Sequence, residues 1–228
     1  MHPNPTRNPA RIGLLIAALC VCAAAAAVAQ KGKKVDLIWT APGIEQLGVR
    51  TIALMPALSF DNNLQSEHLV ENAAAQSLRP LGYRWRSPTS ALALLKGSAT
   101  ADSLWRAQRA VILKNLHVDS LAAGRLCAAM RVNALLTYRI DLFERHELEW
   151  NQTGKPSTSV QIKAALVDSS GRLLWTASGS ETLEGTYKDA GQGVVSVKGS
   201  GLSNQPMTGN SGAPTFDEVL AKLFERWA

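Results

Sequence analysis

Three polar side chains near the start of the chain are of the types that perform acid–base chemistry. Asp61 follows the first predicted strand, where open α/β sheets commonly bind ligands, and His68 and Glu71 lie three residues apart on the next predicted helix. An imidazole beside a carboxylate can move protons, and an i,i+3 pair of Glu and His also occurs in metal sites. Zinc, however, needs three or four ligands. The spacing favours a surface pair, and the alternative is an exported hydrolase or ligand-binding enzyme that uses Asp61, His68 and Glu71.

The remaining candidate groups indicate no chemistry. His117 precedes Asp119, which is better placed as a helix cap, and His146 lies among charges at a strand end. No HExxH, CxxC or GxSxG motif occurs. The stretch 191–196 (GQGVVS) resembles a dinucleotide-binding loop, but its last residue is serine and no helix follows. We therefore predict no catalytic residue, no metal ligand and no cofactor.

The first 29 residues have the three-part pattern of a cleavable signal peptide. Arg7 and Arg11 precede an uncharged apolar run over 12–28, and small residues lead to a cleavage site between Ala29 and Gln30. An uncleaved anchor is the alternative, because the run is at the low edge of what spans a bilayer. The alanine-rich composition favours cleavage. The sequence thus predicts a bacterial periplasmic protein, with outer-membrane association as a further option.

The cysteines bear on anchoring and on disulfides. Cys20 and Cys22 lie in the apolar run, but Leu19 and Val21 precede them, where a lipobox needs a small residue. Lipid anchoring at either cysteine is therefore disfavoured. Cleavage leaves Cys127 alone, which excludes an intramolecular disulfide, and its apolar neighbours are typical of a buried cysteine.

The formal net charge of +6 is modest, and the basic residues are scattered. This pattern gives no support to nucleic-acid binding. Lys31, Lys33 and Lys34 form a short cluster just after the predicted cleavage site. The cluster is typical of a solvated chain end, and contact with an anionic membrane surface is the alternative.

Periodicity places strands and helices around this chemistry. An extended arm is predicted over 30–48, and a long glycine- and serine-rich flexible loop over 188–213. Strands are predicted over 49–56, 83–85, 136–142, 160–166 and 172–179. Helices are predicted from Ser66 to Pro80, over 89–95, 102–114 and 118–130, and from Pro214 onwards, with Ser66, Asp102 and Asp119 as caps.

This order predicts an α/β fold: one domain over 49–228, in two or three layers. It contains a mixed sheet with flanking helices, a C-terminal strand meander and a closing helix. Of the tryptophans, Trp85 and Trp175 are predicted to pack in the core. Trp39, Trp150 and Trp227 lie near polar or terminal segments, where an aromatic side chain can anchor a partner.

Several segments together resemble a known group of proteins. They are Thr51–Pro56 (TIALMP), Leu81–Arg84 (LGYR), Val132–Leu136 (VNALL) and the hairpin 160–175, whose most specific residues are Asp168, Gly171 and Trp175. The pattern is similar to that of the periplasmic lipoproteins grouped around the curli secretion protein CsgG, with PelC, LpoB and the N-terminal domain of TolB as structural relatives. In the hairpin, the turn needs glycine for its backbone angle, and the tryptophan is expected to cover the sheet.

The resemblance implies a non-enzymatic domain at the cell envelope that acts through protein contacts, since relatives serve in secretion, polysaccharide export or wall synthesis. The sequence departs from them by lacking a lipobox and a long amphipathic strand pair, so a pore is disfavoured. The resulting hypothesis is an accessory protein of a transport, export or assembly machine, bound to an envelope complex or to its own copies. A solute-binding protein is a weaker third option, because the chain has little room for a second lobe.

Overall fold

The computed structural model describes residues 36–148, 154–185 and 212–227. Within these ranges, no helix is long and apolar enough to cross a membrane. The predicted signal peptide with its cleavage site at Ala29 and Gln30, the lysine cluster at 31–34, and most of the predicted loop 188–213 lie outside the described residues. Those interpretations stay predictions.

A mixed sheet of seven strands is the centre of the fold. Six strands follow the order β1-β7-β6-β5-β2-β4, and β3 pairs with β5 beyond the end of β2. The strands are β1 (Leu37–Thr40), β2 (Thr51–Leu54), β3 (Leu58–Ser59), β4 (Arg84–Arg86), β5 (Ala134–His146), β6 (Ser157–Asp168) and β7 (Leu173–Glu184). The strands β2 and β3 run parallel to β5, and β4 runs parallel to β2, whereas β5, β6, β7 and β1 form an antiparallel meander.

Helices cover both faces of the sheet, so the domain has three layers. The helices are α1 (Leu64–Leu78), α2 (Pro88–Lys96), α3 (Ala99–Asn115), α4 (Ser120–Met130) and α5 (Phe216–Glu225). One core packs α1 and α5 against Leu136, Tyr138 and their neighbours, and the other packs α2, α3 and α4 against Leu135 and Val167. The predicted fold class, with its mixed sheet, strand meander and closing helix, is confirmed.

Side-chain caps fix where the helices begin. Asn63, not Ser66, caps α1, since Asn63 Oδ1 accepts from Ser66 N at 3.1 Å. Ser98 caps α3, and Asp102 lies in its first turn and pairs with Arg106. The predicted caps at Ser66 and Asp102 are therefore wrong, because an earlier residue with extended backbone reaches the free N–H groups first. Asp119 caps α4 as predicted, with Oδ1 accepting from Leu121 N at 2.9 Å.

The turn between β6 and β7 is held by one carboxylate. Asp168 Oδ1 accepts from Ser170 N at 2.9 Å and from Arg172 N at 3.0 Å. Partial burial raises the pKa of the Asp168 carboxyl, but hydrogen bonds from Ser170 and Arg172 outweigh it and leave the pKa below its ordinary value. Gly171 follows with φ +79°, in the left-handed region, and a Cβ atom there would lie 2.1 Å from Ser120 Cα of α4. Trp175 is half-buried and packs edge-on against Trp227, with 6.1 Å between ring centroids.

The described half of the predicted arm contains regular structure. Leu37–Thr40 pair with β7, and Ile44–Leu47 form a 3-10 helix. Pro42 and the glycines of this segment had indicated no such elements. Gly43 and Gly48 lie on either side of the 3-10 helix, with φ values of +72° and +63°.

Candidate interaction surface

The strand β1 forms one edge of the sheet and exposes a run of large apolar side chains. Its pairing with β7 runs from Leu37 opposite Ser178 to Thr40 opposite Trp175. Leu37 is 68% exposed, Ile38 45% and Trp39 46%. In antiparallel strands the hydrogen bonds alternate in direction, so the groups of β1 that do not meet β7 face outwards. This edge therefore offers apolar side chains, and the outward backbone groups of β1 pair with no second strand in the part of the chain that the structure describes.

An ion-pair cluster holds β1 against the rest of the domain. Arg226, at the end of α5, donates to both carboxylate oxygens of Asp36, and also to Glu181 and to Ser180 O. The hydrogen bond with Asp36 is the chief cause that raises the pKa of the Arg226 guanidinium. Gly179 makes room for this contact, since a Cβ atom there would lie 2.2 Å from Asp36 Oδ1. The edge is thus fixed in place in a single chain.

The sheet face beside β1 is polar. Leu37 and Trp39 alternate with Ile38, whose partner Ala177 packs in the α5 core, so they point to the opposite face. On that face, Asp141 accepts from Arg139 Nε at 2.6 Å and lies 3.0 Å from Lys163 Nζ.

The Asp141 carboxyl is ionised within this network. Partial burial raises its pKa, but the hydrogen bonds from Arg139 and Lys163 and their charges outweigh burial and lower the pKa below its ordinary value. The Arg139 guanidinium also makes a cation–π contact with Phe60, at 5.6 Å from the ring centroid. The exposed apolar residues of β1 therefore lie beside a charged sheet face, and Phe60 is a further exposed apolar side chain near it.

The residues of the predicted hydrolase alternative serve separate structural contacts. Asp61 Oδ1 accepts from Asn63 N at 3.2 Å, and Asp61 lines a cavity of about 270 Å³ with Phe60 and residues 140–144. His68 is largely exposed on α1, and its Nδ1 lies 3.6 Å from Glu71 Oε2. His68 and Glu71 are therefore brought together as the spacing predicted, whereas the lining of the cavity that contains Asp61 includes neither of them.

Two glutamates of α1 bind the backbone after β2. Glu71 Oε1 accepts from Ala57 N at 3.1 Å, and burial raises the pKa of the Glu71 carboxyl. Glu67 Oε1 accepts from Ser59 N at 3.2 Å and from Ser59 Oγ at 3.0 Å. Glu67 is buried. These carboxylates hold β3 in position, which accounts for their places on the inner side of α1.

The other histidines lie apart from any cluster of ligands. His117 Nδ1 is 3.0 Å from Asn115 O, and His146 ends β5 in an exposed position. In residues 36–148, 154–185 and 212–227, no three His, Cys, Asp or Glu side chains lie close enough to hold a metal ion.

Cys127 is buried in α4, in the core formed with α2 and α3. Burial chiefly, with the charge of Asp168, raises the pKa of its thiol to about 12. Because the thiolate is the reactive form, we expect iodoacetamide to label Cys127 at neutral pH only after the protein is unfolded. Mass spectrometry of a chain that begins at Gln30, with and without urea, checks this expectation. Labelling at equal rates in both states would contradict it.

The interaction surface was largely missed by sequence reasoning. Three tryptophans lie where an aromatic side chain can anchor a partner, although core packing was favoured for most of them. Trp39 is exposed at the edge, whereas Trp227 is buried among Trp175 and Phe224, and Trp150 lies outside the described residues. The available signal was the run Leu37–Thr40 (LIWT), four residues of high strand propensity without a charge.

Comparison with known proteins gives structural matches only. No known protein family matches the sequence, and no curated protein does. Lipoprotein GNA1162 from Neisseria meningitidis is 22% identical, with a TM-score of 0.41 over 59% of this chain and 83% of that chain. A PelC dodecamer from Paraburkholderia phytofirmans is 15% identical, with a TM-score of 0.42 over 84% and 95%. Hypothetical protein CT253 from Chlamydia trachomatis is 11% identical, with a TM-score of 0.39 over 60% and 73%.

These matches are weak likenesses in fold, and each of the three TM-scores is below 0.5. The resemblance of the sequence to the superfamily around CsgG stays a prediction.

Proposed function

We propose that this protein is a non-enzymatic accessory protein of the bacterial cell envelope, and that it acts through protein contacts made by the β1 edge. The predicted signal peptide over 1–29 supports the location. The exposed run Leu37, Ile38 and Trp39 on an edge strand is the observation that carries the proposal. Natural edge strands usually carry charges or proline to prevent pairing. This edge carries neither, so it is suited to pairing.

The partner that fits the edge is a second copy of the chain. The strands β5, β6, β7 and β1 are antiparallel neighbours in the sheet, and two β1 strands related by a twofold axis continue that pattern across the interface. The strand has no charge, so two copies meet without repulsion, and the neighbouring Asp36 is neutralised by Arg226. In such a pair, Leu37 of one copy lies near Trp39 of the other.

Analytical ultracentrifugation of the exported chain tests this pairing. We expect the unaltered protein to sediment as a dimer and Leu37→Lys to sediment as a monomer, because a charge on each copy repels across the paired edge. The matched control is Leu121→Lys, since Leu121 on α4 is also 68% exposed and lies away from the edge. The control is expected to remain a dimer.

A monomeric unaltered protein, or equal dissociation by Leu37→Lys and Leu121→Lys, would contradict the pairing.

The envelope location has its own test, in which fractionated cells are probed for the protein and its mature N-terminus is sequenced. Recovery from the periplasmic or membrane fraction with Gln30 as the first residue is expected. Retention in the cytoplasm would overturn the proposal. The same fractions, washed with salt, test whether Lys31, Lys33 and Lys34 contact an anionic membrane surface.

A further inference from the structure

A cavity of about 650 Å³ opens at the edge of the sheet opposite β1, where β2, β4 and β5 begin. Arg50 and Arg84 both line it. Arg84 N donates to Arg50 O at 2.9 Å, so the two arginines stand on adjacent backbones. Among the described residues, neither guanidinium has an acidic group within ion-pair distance. In the part of the chain that the structure describes, the opening therefore carries two arginines without an ion-pair partner, together with one acid, Glu45, in its lining.

The polar floor of the cavity also presents donors. Asn133 Oδ1 accepts from Arg50 N at 3.2 Å, from Thr51 N at 3.1 Å and from Thr51 Oγ1 at 2.8 Å. These three bonds occupy the amide oxygen of Asn133. Its exposed side chain can therefore bind a ligand only through the amide N–H groups. Guanidinium and amide N–H groups together select a ligand rich in acceptor oxygens.

The rest of the lining suits a ring that bears hydroxyl groups. Tyr83 is 37% exposed, and its ring is held edge-on against Trp85 with 5.9 Å between centroids. Leu81 adds apolar surface beside it, and Glu45 is an acceptor for a ligand hydroxyl. The volume lies within the range of roughly 300–1,000 Å³ that small-molecule sites occupy.

We propose that this cavity binds an anionic carbohydrate, namely a sugar ring that bears a carboxylate or a phosphate group. The anionic group binds the guanidinium groups of Arg50 and Arg84, because a guanidinium can donate two parallel hydrogen bonds to a carboxylate or to a phosphate. The ring lies against Tyr83 and Leu81, and its hydroxyls bond to Asn133 and Glu45. The site lies at the edge of the sheet opposite β1. Sugar binding can therefore be tested independently of self-association.

Isothermal titration calorimetry of the exported chain tests the site with four probes: glucuronic acid, glucose 1-phosphate, glucose and inorganic phosphate. At least one anionic sugar is expected to bind. Glucose and inorganic phosphate are expected to bind at least roughly tenfold more weakly, because glucose lacks the anionic group and phosphate lacks the sugar ring. Binding of only one anionic sugar identifies the anion as carboxylate or phosphate.

Variants then assign the binding to the two arginines. Arg50→Gln and Arg84→Gln are each expected to lower the affinity roughly tenfold or more, the loss typical of one charged hydrogen-bond partner. The matched control is Arg86→Gln, on the same strand as Arg84 and outside the cavity lining, which is expected to bind normally. Four results would overturn the proposal: no heat with either anionic sugar, equal binding of glucose, equal binding of inorganic phosphate, or an equal loss in Arg86→Gln.

Discussion

Replacing Gly171 by alanine is expected to lower the free energy of unfolding by about 3 kcal/mol or more, because two separate penalties act at this residue. The left-handed φ of +79° costs a residue with a Cβ atom about 1–2 kcal/mol. The new Cβ atom would also lie 2.1 Å from Ser120 Cα and 3.1 Å from Ser120 N. Those are backbone atoms at the start of α4, so relief requires the helix to shift and to disturb its packing. Urea unfolding followed by tryptophan fluorescence measures the loss.

Gly82 supplies a matched control for this prediction. Its φ is also +79°, but an added Cβ atom would meet nothing within 4 Å. Gly82→Ala should therefore show only the backbone penalty of about 1–2 kcal/mol. Similar losses in the two variants would show that α4 does not press on the hairpin turn as described.

Replacing Phe224 by alanine is expected to cost about 3–5 kcal/mol, the usual loss when a buried phenylalanine is truncated. Phe224 is fully buried in the last turn of α5. Its ring packs edge-on against Tyr138 of β5 and against Trp227, with centroid separations of 6.2 and 5.3 Å. The truncation leaves a cavity between α5 and the sheet, and both aromatic contacts are lost. Urea unfolding again gives the size of the effect.

The matched control for Phe224 is Phe60, which is 63% exposed. Phe60→Ala removes a ring of the same size whose described aromatic contact is with the Arg139 guanidinium, and such exposed contacts contribute about 0.5–1 kcal/mol. The expected difference between the two variants is thus several-fold. Equal losses would mean that α5 does not close the core.

The elements that carry strong periodicity were predictable from sequence. The alternation of Leu136, Tyr138 and Ile140 gave β5, and the spacing of Val219, Leu220 and Leu223 gave α5, because burial of one face imposes those periods. The strands of the meander are longer than predicted: β5 runs from Ala134 to His146 and pairs with β6 on both sides of an irregularity at Asp141. In contrast, β2 covers only Thr51–Leu54 of the predicted 49–56. Cross-strand pairing sustains the polar ends that hydropathy alone leaves out.

The interaction surface was less predictable, because it depends on contacts between distant segments. The apolar run at Leu37 could be read, but its place at an edge follows from the pairing with β7 and the ion pair between Asp36 and Arg226. The cavity with Arg50 and Arg84 arises in the same way, since only the parallel pairing of β2 and β4 makes the two residues neighbours. Local sequence patterns do not predict which residues of two distant strands lie side by side.

The contact between Asp36 and Arg226 joins residues 190 positions apart, which sets an order on the assembly of the domain. The ribosome makes β1 early, while its neighbour β7 and its clamp on α5 are made near the end of synthesis. Until β7 has been synthesised, the strand that contains Leu37, Ile38 and Trp39 lacks its pairing partner in the nascent chain. Closing so large a loop is slow compared with forming local helices, so the segment that we assign to partner contact is also among the last to reach its native position.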